Sequence, residues 1–537
     1  MVTRGIVAAG DSQTAEAGAA IFRLGGNAVD AAVAAAFASF VAEISVVNIG
    51  AAGFAMVFDP NAGPGPAQRA TAYDFCAAVP SLRPAAERDF REVLIDFGGD
   101  KQPFFIGRAS TAVPGAVAGL CAMALERGSL PLATLLKPAI ALSRSGTVVS
   151  PIQAYVFDLL QPIFSDTPEM KRIIAPEGHL ARPGEVLRFS HLAKTWERLS
   201  REGPDLFYRG ALAEAIADDH ARNGGLITLG DLGAYRVEES LPVRIGYRGY
   251  EVLLPGPSSH GGVLIGFALK LLETVDLGDC RHSGYGHLLK LAHALRLTSL
   301  ARKDWDQAWE LASEPPDRLI ARFLGEAHVE SYAARLKDAV GRERHENPSW
   351  DVDTSPGHTT HISAVDEHGM AVSITTSAGE GAGYEIADTG MTMNNMLGEH
   401  DLNPHGFHRD PAGTRLRSMM SPAIVVKDGT PLLALGSAGS NRLRSAIVQT
   451  ISNVIDFGMR PNQAVNEPRI HFEAGVLHLE GGIPGEVAAA LDAAGFSVNP
   501  WQRKSLYFGG AQAVMYGEEA LVGGADERRG GAVASVS

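Results

Sequence analysis

The sequence has little cysteine, no long apolar run and no surplus of positive charge. Its three cysteines, Cys76, Cys121 and Cys280, are odd in number and widely spaced. They make no disulfide framework and give no sign of an oxidising compartment. A net charge of −14 argues against a nucleic-acid or anionic-membrane partner. The apolar stretch from Ala28 to Ala42 is mostly alanine, is interrupted by Asp30 and is too short to span a bilayer. The first residues, Met-Val-Thr-Arg-Gly-Ile-Val, lack the basic segment and apolar run of a secretory signal, so the chain reads as cytoplasmic. No Gly-x-Ser-x-Gly elbow is present. Gly379-x-Gly381-x-Gly383 does not open a helix after a strand, so it is no dinucleotide motif and no cofactor is expected. There is no internal repeat and no low-complexity segment.

What is present is a composition of 45% hydrophobic and 20% charged residues, ordinary for a soluble globular chain. At 537 residues the core can be large and several domains would fit. Asn27 is a good cap for a buried helix from Ala28 to Glu43. Val46 to Phe58 reads as a central strand, Ala70 to Phe75 as the next one, and Val113 to Gly119 as the start of a second helix. From about Leu132 to Leu300 the pattern is mainly helical, with a strand over Tyr247 to Leu254. Lys303 to Glu346 is charged and helical, and Asn347 to Gly357 is a loop. Thr389 to Asn395 reads as a short strand, and Gly398 to Gly413 as a mobile lid. Ala423–Val426 and Leu432–Leu435 pair around a turn, and a helix runs from Arg442 to Phe457. Strands followed by helices, twice, suggest sheets between helical layers.

The chemistry centres on Thr359. The segments His358 to Asp366 and Met370 to Ser377 alternate as the arms of a hairpin. If the chain were cut before Thr359, that residue would gain an α-amine of pKa roughly 8, a base for its own hydroxyl. A three-residue loop at Glu367–Gly369 puts Ser377 opposite Thr359, where its hydroxyl would bond the Thr359 side chain. A loop one residue shorter puts Thr376 there. His358-x-x-His361 would point its two rings to opposite faces of a strand, so no metal is expected. His400, His405 and His408 near Glu399 fit no ligand spacing either. Gly436 to Ser440, between a strand and a helix, offers outward N–H groups suited to an oxyanion.

These segments together resemble the γ-glutamyltranspeptidase family. The resemblance runs from Gly5 to about Gly523. It is carried by Gly25–Ala32, Val113-Pro114-Gly115, Phe207–Gly210, Asn223–Thr228, Tyr247–Tyr250, Pro257–Gly262, Thr359-Thr360-His361, Asn394-Asn395, Met420-Ser421-Pro422 and Gly436–Gly439. It implies an N-terminal-nucleophile hydrolase with an αββα four-layer sandwich of α/β (α+β) class and a largely helical part in the large chain. It implies self-cleavage between His358 and Thr359 into chains 1–358 and 359–537 that stay together as one intertwined unit. It implies a small-molecule amide substrate, with Thr359 as nucleophile, Ser377 as second hydroxyl, and Gly439 and Ser440 as oxyanion-hole pair. Glu399 would hold an α-amine, and Ser418 with Met419 replaces the usual pair of serines. The chain departs from the family where it has Cys76 in place of a carboxylate-gripping arginine, Gly379 in place of asparagine and Met396 in place of glutamine. Cysteine cannot make arginine's bidentate contact, and Arg415, Arg417 and Arg442 are candidate replacements. Three functions are compatible with this reading: γ-glutamyl transfer or hydrolysis with water or an amine as acceptor, cleavage of another acyl amide, or an uncut scaffold. A homo-oligomer is left open.

Overall fold

The computed structural model describes residues 2–63, 65–83, 88–96, 101–342, 358–517 and 520–537. The loop expected over Asn347–Gly357, and the end of the charged helical stretch beyond Arg342, lie outside them. The strands of the two large sheets are β1 (Gly5–Ala9), β2 (Ala52–Phe58), β3 (Ala70–Phe75), β4 (Glu238–Ser240), β5 (Val243–Tyr247), β6 (Tyr250–Leu254), β7 (Thr360–Asp366), β8 (Ala371–Ser377), β9 (Ala423–Lys427), β10 (Thr430–Ala438), β11 (Gly510–Met515), β12 (Val522–Ala525) and β13 (Ala532–Val536). They form two antiparallel sheets, in the orders β13-β1-β7-β8-β2-β3-β4 and β12-β11-β10-β9-β6-β5.

The period-two rule of strands sorts the side chains into layers. In β1, Ile6 and Ala8 enter the core between the sheets, together with Met56, Val365, Ile424 and Val514. Val7 and Ala9 face the other way, into a core shared with the helices α1 (Ser12–Arg23), α2 (Ala28–Ala42) and α3 (Ala116–Arg127). On the second sheet, Val425, Leu433 and Leu435 face α4 (His260–Glu273), α5 (Tyr285–Glu310) and α6 (Arg442–Ile455). Three cores separate four layers, helix–sheet–sheet–helix. Among the described residues no helix is long and apolar enough to cross a membrane.

Helix α2 starts where the sequence puts it. Asn27 accepts a hydrogen bond from the Asp30 amide, and the Asp30 carboxylate accepts from the Asn27 amide. Other boundaries differ from expectation. Residues 43–46 form a turn after α2, with the Val46 and Val47 amides bonding the Glu43 carbonyl, and Gly50 makes an isolated bridge to Met393, so β2 begins only at Ala52. Tyr247–Leu254 is the middle of a hairpin, not one strand: Arg248 and Gly249 take φ of 53° and 78° and turn the chain between β5 and β6. The strand expected over Thr389–Asn395 shrinks to Met391–Thr392. Short 3₁₀ turns at Met396–Gly398 and His400–Leu402 then shape the start of the expected lid segment.

Candidate active site

The hairpin fixes Thr359. In the β7–β8 ladder Thr360 pairs with Thr376 and Val365 with Ala371, and the Asp366 amide bonds the Met370 carbonyl. One step further along that register stands Ser377 opposite Thr359. The three-residue loop is therefore the one adopted. Ser377 does not bond the Thr359 side chain as expected, however. Its hydroxyl donates to the carbonyl oxygen of His358 at 2.6 Å, the carbonyl of the peptide that links 358 to 359. The Ser377 oxygen also accepts the Gly379 amide at 3.0 Å.

Thr359 is buried, and it opens onto a cleft of about 360 Å³ lined also by Ser377, Met396, Glu399, Ser418, Met419 and Ser440. Seven residues named from the sequence thus meet at one place. Two others do not. Cys76 is outside the cleft lining and is buried at the end of β3, with its thiol 3.4 Å from the Leu416 carbonyl. Burial, then the neighbouring Asp74, pushes that thiol up to about 12. Gly379 also stands outside the lining, because Glu399 and Asn395 cover it. A Cβ at Gly379 would lie 2.1 Å from Glu399 Oε1 and 2.2 Å from Asn395 Oδ1, so no larger residue fits there unless both move. Burial, then the nearby Asp401 and Glu380, holds Glu399 well above the usual carboxylate range.

The turn expected over Gly436–Ser440 is shorter: Gly436 to Ala438 end β10 and pair with β11, so only Gly439 to Asn441 lie between β10 and α6. Gly439 has φ 116° and Ser440 φ 49°. Ser440 therefore carries a side chain in the left-handed region, where a Cβ costs about 1–2 kcal/mol. Its hydroxyl donates to Asp401 Oδ2 at 3.1 Å.

The histidines are tied down singly. The His358 ring contacts Glu380, and both side chains are buried. His361 bonds Thr375 and Ser363 at 2.8 and 2.9 Å, and burial lowers its imidazole to about 3, so it is neutral. His405 pairs with Glu310 and Asp410, and His408 donates to the Ala109 carbonyl. Of the candidate arginines, Arg415 lies over the Tyr235 ring at 4.1 Å and donates to the Cys76 carbonyl at 2.6 Å. Arg442 is buried over Tyr507 beside Glu473. Arg417 lines a cavity that adjoins the cleft.

Sequence reasoning missed two residues around Thr359. Glu380 holds His358, the residue before Thr359, and carries no periodic signal. Glu43 accepts the Thr360 hydroxyl at 2.6 Å and the Thr14 hydroxyl at 2.7 Å. A lone acid closing an apolar helix was the available clue to it.

Two antiparallel sheets between helical layers, with a threonine just ahead of a strand at the head of a cleft, define an N-terminal-nucleophile hydrolase. The Gamma-glutamyltranspeptidase family model matches residues 14–536, and the chain belongs to that family. It is 34% identical over 535 residues to the acylase ACY 1 proenzyme of Pseudomonas sp. (strain SE83), covering 97% of this chain and 92% of the relative. It is 31% identical to the glutathione hydrolase proenzyme of Escherichia coli (strain K12), covering 98% and 90%. The cephalosporin acylase of Bacillus halodurans superposes with a TM-score of 0.80 at 25% identity, over 99% of this chain and 96% of that one. The protein is thus an enzyme of the hydrolase and transferase kind.

Proposed function

We propose that the chain cuts itself between His358 and Thr359 and then cleaves γ-glutamyl amides such as glutathione through an acyl-enzyme on Thr359. The observation that carries this is the 2.6 Å bond from the Ser377 hydroxyl to the His358 carbonyl, beside the Thr359 cleft. A hydroxyl donated to that oxygen stabilises the negative charge that grows on it when Thr359 Oγ1 attacks the adjoining carbon. The peptide C–N bond then breaks, the Thr359 nitrogen takes a proton, and an ester joins His358 to Thr359 Oγ1. Water hydrolyses the ester, leaving a carboxylate on chain 1–358 and a free amine on chain 359–537. The same oxygen next attacks the substrate amide, with its own amine as base, and expels the substrate's amine. Water or a second amine resolves the acyl-enzyme. Gly439 and Ser440 supply oxyanion donors, Glu399 faces an α-amine, and Ser418, Met396 and Met419 shape the pocket.

A second reading is cleavage of a non-glutamyl acyl amide, favoured by the withdrawal of Cys76 from the cleft and by the resemblance to acylase proenzymes. Purified protein should run as two bands on a denaturing gel and release the aniline from γ-glutamyl-anilide. Thr359→Ala should stay a single 56.7 kDa band and be inactive. A Thr359→Ala chain that still splits would displace the nucleophile. A split wild type that turns over only other acyl-anilides would leave the second reading in place.

A further inference from the structure

A second polar cavity, of about 440 Å³, adjoins the Thr359 cleft and shares Asp401, Leu402 and Met419 with it. Its walls carry Arg302, Arg417 and the buried His260. Arg417 immediately precedes Ser418 and Met419, which line the cleft itself. The backbone places this wall firmly: the Leu416 amide bonds the Ala77 carbonyl, and the Cys76 thiol meets the Leu416 carbonyl. Cys76, which stands where the family has its arginine, thus lies directly against the segment that carries Arg417.

Both arginines are loosely held. Arg417 Nη1 is 3.4 Å from Glu310 Oε1. Arg302 Nε is 3.4 Å from Asp306 Oδ2, and its Nη1 donates to Asn441 Oδ1 at 3.1 Å, beside the Gly439–Ser440 turn. A tight charge-assisted bond is roughly 2.7–2.9 Å long, so each guanidinium has more to gain from a carboxylate set squarely before it. His260 adds a donor. Its Nδ1 accepts the Trp305 indole N–H at 2.9 Å, which puts the ring hydrogen of the neutral form on Nε2, a buried atom with no partner among the described residues. Of the acids, Glu399 lines only the cleft, Asp401 lines both spaces, and Asp306 and Glu310 line the cavity beside the arginines.

We propose that Arg417 and Arg302, with His260 behind them, form the carboxylate subsite of the acyl group and supply the charged grip that Cys76 cannot. The proposal rests on the amide-cleaving reading above and gives the acyl carboxylate, at the end away from the scissile amide, a partner in this chain that the reading leaves without one. Arg417 and Arg302 are specificity residues; they take no part in the proton transfers.

The test compares glutaryl-anilide with butyryl-anilide, and γ-glutamyl-anilide with 4-aminobutyryl-anilide, pairs that differ in one carboxylate. Wild type should favour the carboxylate-bearing member of each pair in kcat/KM. Arg417→Met should reduce that ratio roughly ten- to a hundredfold, through KM more than kcat, and Arg417→Lys should restore part of it. Arg302→Met should act in the same direction. A ratio unchanged in Arg417→Met overturns the proposal. Binding is measured in parallel by calorimetry, with free glutarate and the neutral butyramide as probes, which needs no turnover. Wild type should bind glutarate more tightly than butyramide, and Arg417→Met should bind them alike. Equal binding by wild type overturns the subsite even if the enzyme is active. Selective glutarate binding by a chain that never splits on a gel overturns the amide-cleaving reading and keeps the subsite.

Discussion

At the scale of residues, the proposed self-cleavage turns on which atoms face the carbonyl of His358. Ser377 Oγ reaches it at 2.6 Å, and the His358 ring is held by Glu380. Removing one donor to a developing oxyanion typically costs a factor of roughly 10²–10³. Ser377→Ala is therefore expected to accumulate as uncut chain and to split that much more slowly in a gel time course, while Ser377→Thr keeps the hydroxyl and splits readily. Processing of Ser377→Ala at the wild-type rate would remove the hydroxyl from the mechanism. The sequence narrowed the partner of residue 359 to 376 or 377, because a strand's period is arithmetic, and the loop length the structure adopts selects 377. What Ser377 bonds was not legible, since its rotamer depends on the Gly379 amide that curls back onto it. Nor was the place of Cys76: sequence position put it at the substrate, but burial against Leu416 takes it out of the lining.

At the scale of elements, the end of α2 is coupled to the start of β7. Glu43, just past α2, accepts hydroxyls from Thr360 and Thr14. Burial, then the charge of Asp11, raises its carboxyl from 4.5 to about 7, against the pull of those two hydrogen bonds. The folded state thus favours the protonated form. Its stabilising contribution is complete below pH 4.5 and is lost as pH rises through about 7. At about 1.4 kcal/mol per pH unit the loss is on the order of 3 kcal/mol. In a Thr359→Ala background, where the chain remains whole, Glu43→Gln should flatten the fall of Tm between pH 5 and 8. Parallel Tm curves for the two chains would show that Glu43 does not titrate there. The sequence marked α2 and its Asn27 cap, since alanine content and capping are local properties. It overran β2 at its start and merged β5 with β6, because apolar side chains fit a turn packed in a core as well as a strand. Arg248-Gly249 lacks the asparagine or aspartate that usually announces such a turn.

At the scale of the whole molecule, the two segments that scission would create are interleaved in both sheets. β1 belongs to residues 1–358, yet it lies between β7 and β13, both from residues 359–537. Gly5 pairs with Asp366 on one side and Val536 on the other, and the register holds along the strand. In the second sheet β6 of the first segment pairs with β9 of the second. The core between the sheets mixes Ile6, Met56 and Leu253 with Val365, Ile424 and Val514. Separating the pieces would expose two ladder edges of β1 and open that core, which breaks every layer at once. The cut protein should therefore elute as one species in native size exclusion and unfold in urea in a single transition reported alike by far-UV dichroism and tryptophan fluorescence. Its two fragments should part only in denaturant, and neither should regain native dichroism when refolded alone. Fragments that separate on a native column, or a fragment 359–537 that refolds by itself, would mean that the sheets are held by one segment and merely decorated by the other.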